Sequence, residues 1–309
     1  MNIVVLEPLA VEERKLRQLA EPLIHRGDTL TIYDHIAKDK DEAKKRVADA
    51  DVLIIANSPL TGEVIRAANQ LKFISVAFTG LDHIDLVACK EREITVCNAA
   101  GYSTHSVTEL TFGLLFGLLR NIPACDQATR QEKTKAGLVG YELYGKTFGV
   151  VGTGAIGSRV AELAMAFGCK VLAYSRTQRV ELVKKGVQYV TLEQLLEQSD
   201  IISLHTPLTP ETKHLIHKEN LKLVKPTALL INVARGPVVD SEALAQALHE
   251  GRLAGTGIDV FEMEPPIPSD HPLLHTPNTL LTPHVAFATA ESMERRAEIV
   301  FENIIKWRE

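Results

Sequence analysis

One stretch constrains this chain more than any other: FGVVGTGAIGSRVAELA, residues 148–164. An apolar run of strand character breaks at Gly152, Gly154 and Gly157, and a helix-forming run grows out of the break. Gly152 allows a tight turn, Gly154 lets a bulky ligand group approach the backbone, and Gly157 lets the helix lie close on the strand. The N–H groups at the start of that helix lack intrahelical partners, and the helix dipole adds positive potential there. Phosphates suit such a site, so a strand, turn and helix of this form predict a pocket for a dinucleotide's pyrophosphate.

The rest of the chain supplies the sheets. Strand-like runs NIVVLE, TLTIYD, DVLIIAN, FISVAF and ITVCN fill the first third, separated by charged helical stretches such as residues 39–50. A second series runs through FGVVGTG, KVLAYS, DIISLHT, ALLINVA, GTGIDV and NTLLTPHV. Strands alternating with helices predict an α/β architecture with parallel sheets. Between the two series a long apolar helix is expected over residues 103–119. It carries Gly113 and Gly117 on one face, for close helix packing or for a subunit contact. An amphipathic helix over 290–307 is expected to pack back on the first domain. The division expected is a discontinuous substrate-binding domain, 1–99 with 288–309, and a dinucleotide-binding domain, 100–287.

The second strand of the dinucleotide unit, KVLAYS, ends at Ser175, followed by Arg176 and Thr177. An acid here would accept hydrogen bonds from the ribose hydroxyls of NAD. A serine does not repel a 2′-phosphate and an arginine can bind one. NADP(H) is therefore predicted in preference to NAD(H).

Three more residues sit at the ends of later apolar runs: Arg235 in INVARGP, Glu264 in GIDVFEMEPP and His284 in LLTPHVAF. Arginine offers a permanent charge and a planar fork of donors, which suits a carboxylate beside a carbonyl oxygen. Histidine can carry and donate a proton near neutral pH. A carboxylate on the other ring nitrogen fixes the tautomer and raises the pKa; Glu262 competes with Glu264 for that task. Beside a nicotinamide, these are the parts needed to reduce a 2-keto acid. His205, in LHTPLTPET, is expected to frame the coenzyme, whereas His25, His214, His217 and His249 lie in polar contexts and are read as solvated.

Composition narrows the partners. A net charge of −5 with interspersed signs offers no basic stripe for nucleic acid or a membrane surface. The start, MNIVVLEPLAVEER, reads as no signal peptide, and the greasiest helix candidate is too short to cross a bilayer. None of the four cysteines, Cys89, Cys97, Cys125 and Cys169, has metal-ligand spacing. They read as reduced thiols of a cytoplasmic protein, with no metal expected.

These segments resemble the D-isomer-specific 2-hydroxyacid dehydrogenase family. The resemblance spans almost the whole chain. It rests, in order, on VVGTGAIGSRVAELAMAFGCKVLAYSR, SLHTPLTPETKHLI, LLINVARGPVVDSEAL, GIDVFEMEPP and LTPHVAF. It implies two Rossmann-like domains, each a mainly parallel sheet flanked by helices, with the active site in the cleft between them, and a homodimer. It implies that Arg235 binds substrate, that His284 is the acid–base group, and that Glu264 is its partner. Asp259 matches an aspartate that contacts the nicotinamide carboxamide, and Phe78, Thr79 and Gly80 match a loop whose N–H groups bind the substrate carboxylate. Coenzyme contacts are expected at Gly152, Gly154, Ala155, Ile156 and Gly157, and at Ser175, Arg176 and Thr177. Further contacts are expected at His205, Thr206, Pro207 and Thr212, at Val233 and Ala234, and at Asp259 and His284.

Members that oxidise 3-phosphoglycerate tend to carry arginines after the third strand. Here that segment reads IIANSPLTGEV, with no basic residue before Arg66, and the chain ends soon after His284. An unphosphorylated 2-keto acid is therefore expected: glyoxylate, hydroxypyruvate or one with an apolar side chain. Phe78 either lines the pocket or belongs to the core. Alternatives are 3-phosphoglycerate oxidation, a non-enzymatic dinucleotide sensor like the family's corepressor branch, or an enzyme acting on formate or phosphite.

Overall fold

The computed structural model describes residues 1–263 and 265–309, in two units: Met1–Ser103 with Ala288–Glu309, and Thr104–Phe287. The first unit holds strands β1 (Asn2–Val5), β2 (Thr29–Ile32), β3 (Val52–Ile55), β4 (Phe73–Val76) and β5 (Thr95–Asn98). They form one parallel sheet in the order β2-β1-β3-β4-β5. Helices α1 (Glu13–Ile24), α2 (Lys40–Val47), α3 (Gly62–Ala67) and α4 (Leu86–Glu91) connect them. The closing helix of the chain, Ala290–Arg308, belongs to the same unit. It buries Met293, Ala297, Val300, Phe301 and Ile304, a stripe at helical spacing. Ser75 Oγ on β4 donates to the Val300 carbonyl at 3.0 Å, and the Phe73 and Trp307 rings stack with centroids 4.7 Å apart.

The second unit carries β6 (Thr147–Val151), β7 (Lys170–Tyr174), β8 (Gln188–Tyr189), β9 (Ile201–Leu204), β10 (Leu229–Asn232), β11 (Gly255–Ile258) and β12 (Thr279–Leu281). All pair in parallel, in the order β12-β11-β10-β9-β6-β7-β8. Its helices are α5 (Thr104–Leu119), α6 (Ile122–Arg130), α7 (Ala155–Ala166), α8 (Val180–Lys184), α9 (Leu192–Gln198) and α10 (Ser241–His249), so the chain's closing helix is α11. Both faces of the middle of this sheet are covered, which is why β9 and β10 read as largely apolar runs. Phe148, Val150, Ile201, Leu229 and Ile231 point to a core closed by α5 and α7. Val151, Ile202, Leu204 and Leu230 point to the opposite core, closed by α9 and α10. Strand order reverses between β6 and β9, and in such sheets ligands bind beyond the carboxyl ends of the strands at that point.

The two glycines of α5 do different things. A Cβ on Gly117 would lie 2.5 Å from Leu280 Cδ2, so that glycine serves close packing on β12, whereas Gly113 lies on the surface.

Candidate active site

Strand register sets the site. Tyr174, Val151, Leu204, Asn232, Ile258 and Leu281 pair in sequence across β7, β6, β9, β10, β11 and β12, forming one transverse row. Ser175, Gly152, His205 and Asp259 each follow their row member directly, and Arg235 and His284 each lie three residues beyond theirs. The carboxyl edge of one sheet therefore carries, in spatial order, Ser175, the glycine turn, His205, Arg235, the buried Asp259 and His284. Parallel strands are spaced about 5 Å apart, so Arg235 and His284, two strands apart, leave the sheet roughly 10 Å from each other.

At the switch point a groove of about 930 Å³, including its solvent-open part, is lined by Gly152, Gly154, Ser175, Arg176, Thr177, His205, Thr206, Pro207 and Thr212. Gly152 has φ +93°, and a Cβ there would lie 2.6 Å from the His205 carbonyl oxygen, so the turn demands glycine twice over. Gly157 is buried under the turn, where a Cβ would overlap the Gly152 carbonyl. Ala155 and Ile156 open α7, whose start no side chain caps. Val233 and Ala234 follow β10 and do not line the groove.

The groove fits a dinucleotide on three observations. The uncapped start of α7 offers N–H donors to a phosphate. A Cβ on Gly154 would meet no protein atom within 4 Å, so the open space in front of that residue is available to a ligand. Thr206 Oγ1 is buried without a hydrogen-bond partner, although buried hydroxyls are normally paired.

His205 directly follows β9 and shares a hydrogen bond with Ser203 Oγ at 2.8 Å. Burial pushes its pKa down to about 3, so it is a neutral wall of the groove and no proton donor at physiological pH. Thr212 Oγ1 donates to the Pro207 carbonyl at 2.7 Å and accepts from Thr209 N–H at 2.8 Å, which closes the adjoining loop.

Arg235 follows β10 in extended conformation, and its Nη1 donates to the Ala234 carbonyl at 2.8 Å. The next residue explains the motif: a Cβ on Gly236 would overlap the Phe261 carbonyl, so two site loops touch through their backbones. Asp259 is fully buried. Burial raises its pKa, opposed by hydrogen bonds from Thr282, Val285 and Ala286. Those three donors come from the loop that carries His284. In the first unit, Phe78 is buried against the Tyr102 and His83 rings, which makes it core, while Thr79 is exposed. The N–H groups of Thr79 and Gly80 donate to no acceptor among the described residues, and Asn98 Nδ2 fixes the loop by donating to the Thr79 carbonyl at 2.7 Å. Glu264 lies outside the described residues.

The family described as D-isomer specific 2-hydroxyacid dehydrogenase, NAD binding domain, matches residues 112–286. The chain belongs to that family. Its reaction class is accordingly hydride exchange between a nicotinamide coenzyme and a small 2-hydroxy or 2-keto acid. A glyoxylate reductase of Korarchaeum cryptofilum is 42% identical over 293 residues, 90% of this chain and 88% of the relative. The structure of an acyclic imino acid reductase in complex with NADPH and D-Arg superposes with a TM-score of 0.89 at 31% identity, covering 100% of this chain and 97% of that one. A D-lactate dehydrogenase of Aquifex aeolicus complexed with NAD and lactic acid gives a TM-score of 0.86 at 33% identity, covering 100% and 95%.

Arg179, Glu211, Tyr189 and the contact of His271 with Glu262 escaped the sequence. Arg179 and Glu211 also line the groove, and Tyr189 on the two-residue strand β8 bonds into its wall. Glu262 is engaged by His271, whose Nε2 lies 3.0 Å from Glu262 Oε2. Burial works against ionisation of Glu262, but the His271 and Ser241 hydrogen bonds outweigh it and lower the pKa. That engagement weakens the case for Glu262 as the partner of His284. Cys89 and Cys169 are pushed up to about 11 by burial, so both remain thiols at neutral pH.

Proposed function

We propose that this dehydrogenase reduces a small unphosphorylated 2-keto acid, glyoxylate or hydroxypyruvate foremost, with NADPH in preference to NADH, as a cytoplasmic homodimer. The observation that carries the reading is the shared row: the coenzyme groove, Arg235 and His284 all leave one sheet edge just past paired strand positions. A bound nicotinamide supplies the hydride to the keto carbon. The Arg235 guanidinium binds the substrate and meets the negative charge that develops on the keto oxygen; such prearranged charge contributes about 3–4 kcal/mol per donor in comparable sites. His284 gives that oxygen its proton, with Glu264 as the carboxylate partner of the imidazole. The main-chain N–H groups of Thr79 and Gly80 hold the substrate carboxylate, Asp259 contacts the carboxamide, and Val233 and Ala234 contact the nicotinamide half of the coenzyme.

Burial of Phe78 in the core removes one argument for an apolar substrate side chain. Phosphorylated substrates are disfavoured by the segment after β3, whose first basic residue, Arg66 on α3, already pairs with Glu91 at 3.0 Å. Ser175 and Arg176 at the groove support NADPH. The homodimer is supported by Ile122 at the start of α6 and by Val139, Tyr141 and Tyr144, all exposed. Such a run of apolar surface suits a second copy of the chain. Among the described residues no helix is long and apolar enough to cross a membrane.

A panel of 2-keto acids assayed with NADPH and NADH by loss of absorbance tests the reading, beside His284→Gln and Arg235→Gln. Each variant should lose about a hundredfold or more in kcat/KM while still binding coenzyme. Absence of turnover with every acid in the wild type would favour the sensor instead.

A further inference from the structure

The groove holds a second cation that the coenzyme fingerprint does not contain. Arg179 sits four residues past Ser175 and is fixed at two points. Its Nε–H donates to the Thr153 carbonyl at 3.2 Å, and its main-chain N–H donates to Tyr189 Oη at 2.9 Å. Tyr189 Oη in turn donates to Thr153 Oγ1 at 3.0 Å. These bonds close a ring through Thr153, Arg179 and Tyr189. The middle residue of the glycine turn is thereby tied to the loop that reads the ribose, and the tie is β8. Arg176 has no such anchor, and Glu211 across the groove acts on it electrostatically. Neither arginine forms an ion pair within 4.0 Å among the described residues.

We infer that Arg179 is the specificity-determining residue for a ribose 2′-phosphate and that Tyr189 presets it. This rests on the proposed NADPH preference. A guanidinium bonded through Nε keeps its plane fixed and leaves the two Nη groups for a ligand. A donor held in place before binding loses less rotamer freedom on capture. Two guanidinium groups beside the Ser175 hydroxyl suit a doubly charged phosphate monoester, whereas a bare ribose hydroxyl needs neither. Glu211 acts against any anion near Arg176, which shifts the reading of the phosphate to Arg179.

The test is equilibrium binding of 2′,5′-ADP and 5′-AMP to the full-length protein by calorimetry, which needs no turnover. The two probes differ only in the 2′-phosphate. The wild type should bind 2′,5′-ADP at least about tenfold more tightly, as expected for a charge-assisted contact. Arg179→Ala should erase most of that advantage and leave 5′-AMP unchanged. Tyr189→Phe, which keeps the ring and removes only the hydroxyl, should reduce the advantage by a few-fold, roughly what one lost hydrogen bond implies. Equal weakening of both probes in Arg179→Ala, or no change in either, overturns the inference. If Arg176→Ala loses the advantage while Arg179→Ala keeps it, the inference fails and the NADPH reading stands. If the wild type shows no advantage, the NADPH reading fails and the inference with it.

Discussion

Asp259 holds His284 from two directions. The His284 N–H donates to the Asp259 carbonyl at 2.8 Å, and the Asp259 carboxylate accepts the N–H groups of Val285 and Ala286, each at 2.9 Å. Thr282 Oγ1 adds a bond from the near side at 2.5 Å. These bonds have something to hold: His284 has φ +56°, a left-handed backbone that a residue with a side chain rarely adopts. Backbone strain of this kind persists only where the surroundings overdetermine it. The buried carboxylate is thus a clamp on the loop that presents the imidazole.

Asp259→Asn tests the clamp. An amide offers one acceptor oxygen and turns an N–H₂ donor on one of the N–H groups it must satisfy. Unfolding free energy should fall by about 2–3 kcal/mol, the worth of a lost hydrogen bond to a charged group. Turnover should fall at least about tenfold as the imidazole leaves its place, while coenzyme affinity, followed by nucleotide fluorescence, changes less. Intact turnover with weakened coenzyme binding would assign the residue to the nicotinamide alone.

Charge at the ribose end can be reversed. Ser175→Asp with Arg176→Ala replaces a neutral hydroxyl by an acceptor for ribose hydroxyls and removes one cation from the groove. The ratio of kcat/KM for NADPH over NADH should drop by about a hundredfold, because a carboxylate repels a 2′-phosphate across a short distance. A wild type that already prefers NADH would count against the starting premise.

How much of this was legible in advance follows from what each feature depends on. Strands β3, β4, β9 and β10 announce themselves as apolar runs, because each is buried along its whole length. The glycine turn is legible because backbone geometry fixes residue type at Gly152 and Gly157. Strand β8 is not, since Gln188 and Tyr189 are too few for any period to show. Its function in the groove escapes with it, because Tyr189 meets Thr153 across thirty-six residues of chain. The clamp on His284 escapes for a similar reason: nothing in GIDVF says that the aspartate turns inward to bond a loop 26 residues later. Phe78 could have lined a pocket or a core, and only the rings of Tyr102 and His83 decide for the core.

His205 gives a pH signature separate from catalysis. Burial takes its pKa from 6.5 down to about 3. The unfolded chain therefore binds a proton near pH 6.5 that the folded chain refuses until about pH 3. Above pH 6.5 the residue contributes no pH dependence. As pH falls from about 6.5 towards 3, the extra proton on the unfolded state draws stability away, by on the order of 1 kcal/mol per pH unit. His205→Gln should keep a polar group near Ser203 and flatten that slope in urea unfolding between pH 6 and 4. An unchanged slope would mean that the imidazole protonates freely in the native protein.

Two glycines of the same fingerprint should fail in opposite ways. At Gly157 an added methyl overlaps the Gly152 carbonyl and comes within 3.2 Å of His205 Cβ, both parts of a rigid turn. Gly157→Ala should therefore cost about 1–3 kcal/mol of stability, as overpacking does, and lower the melting temperature. At Gly154 the backbone has φ −68° and the methyl meets no protein atom within 4 Å. Gly154→Ala should fold as well as the wild type, with any change being a small gain from restricting the unfolded chain. Its methyl would instead occupy the space where a pyrophosphate approaches α7. Coenzyme affinity should fall at least about tenfold, the effect of losing a charge-assisted contact. A Gly154→Ala protein that melts normally and binds NADPH normally would show that the phosphates lie elsewhere along the groove.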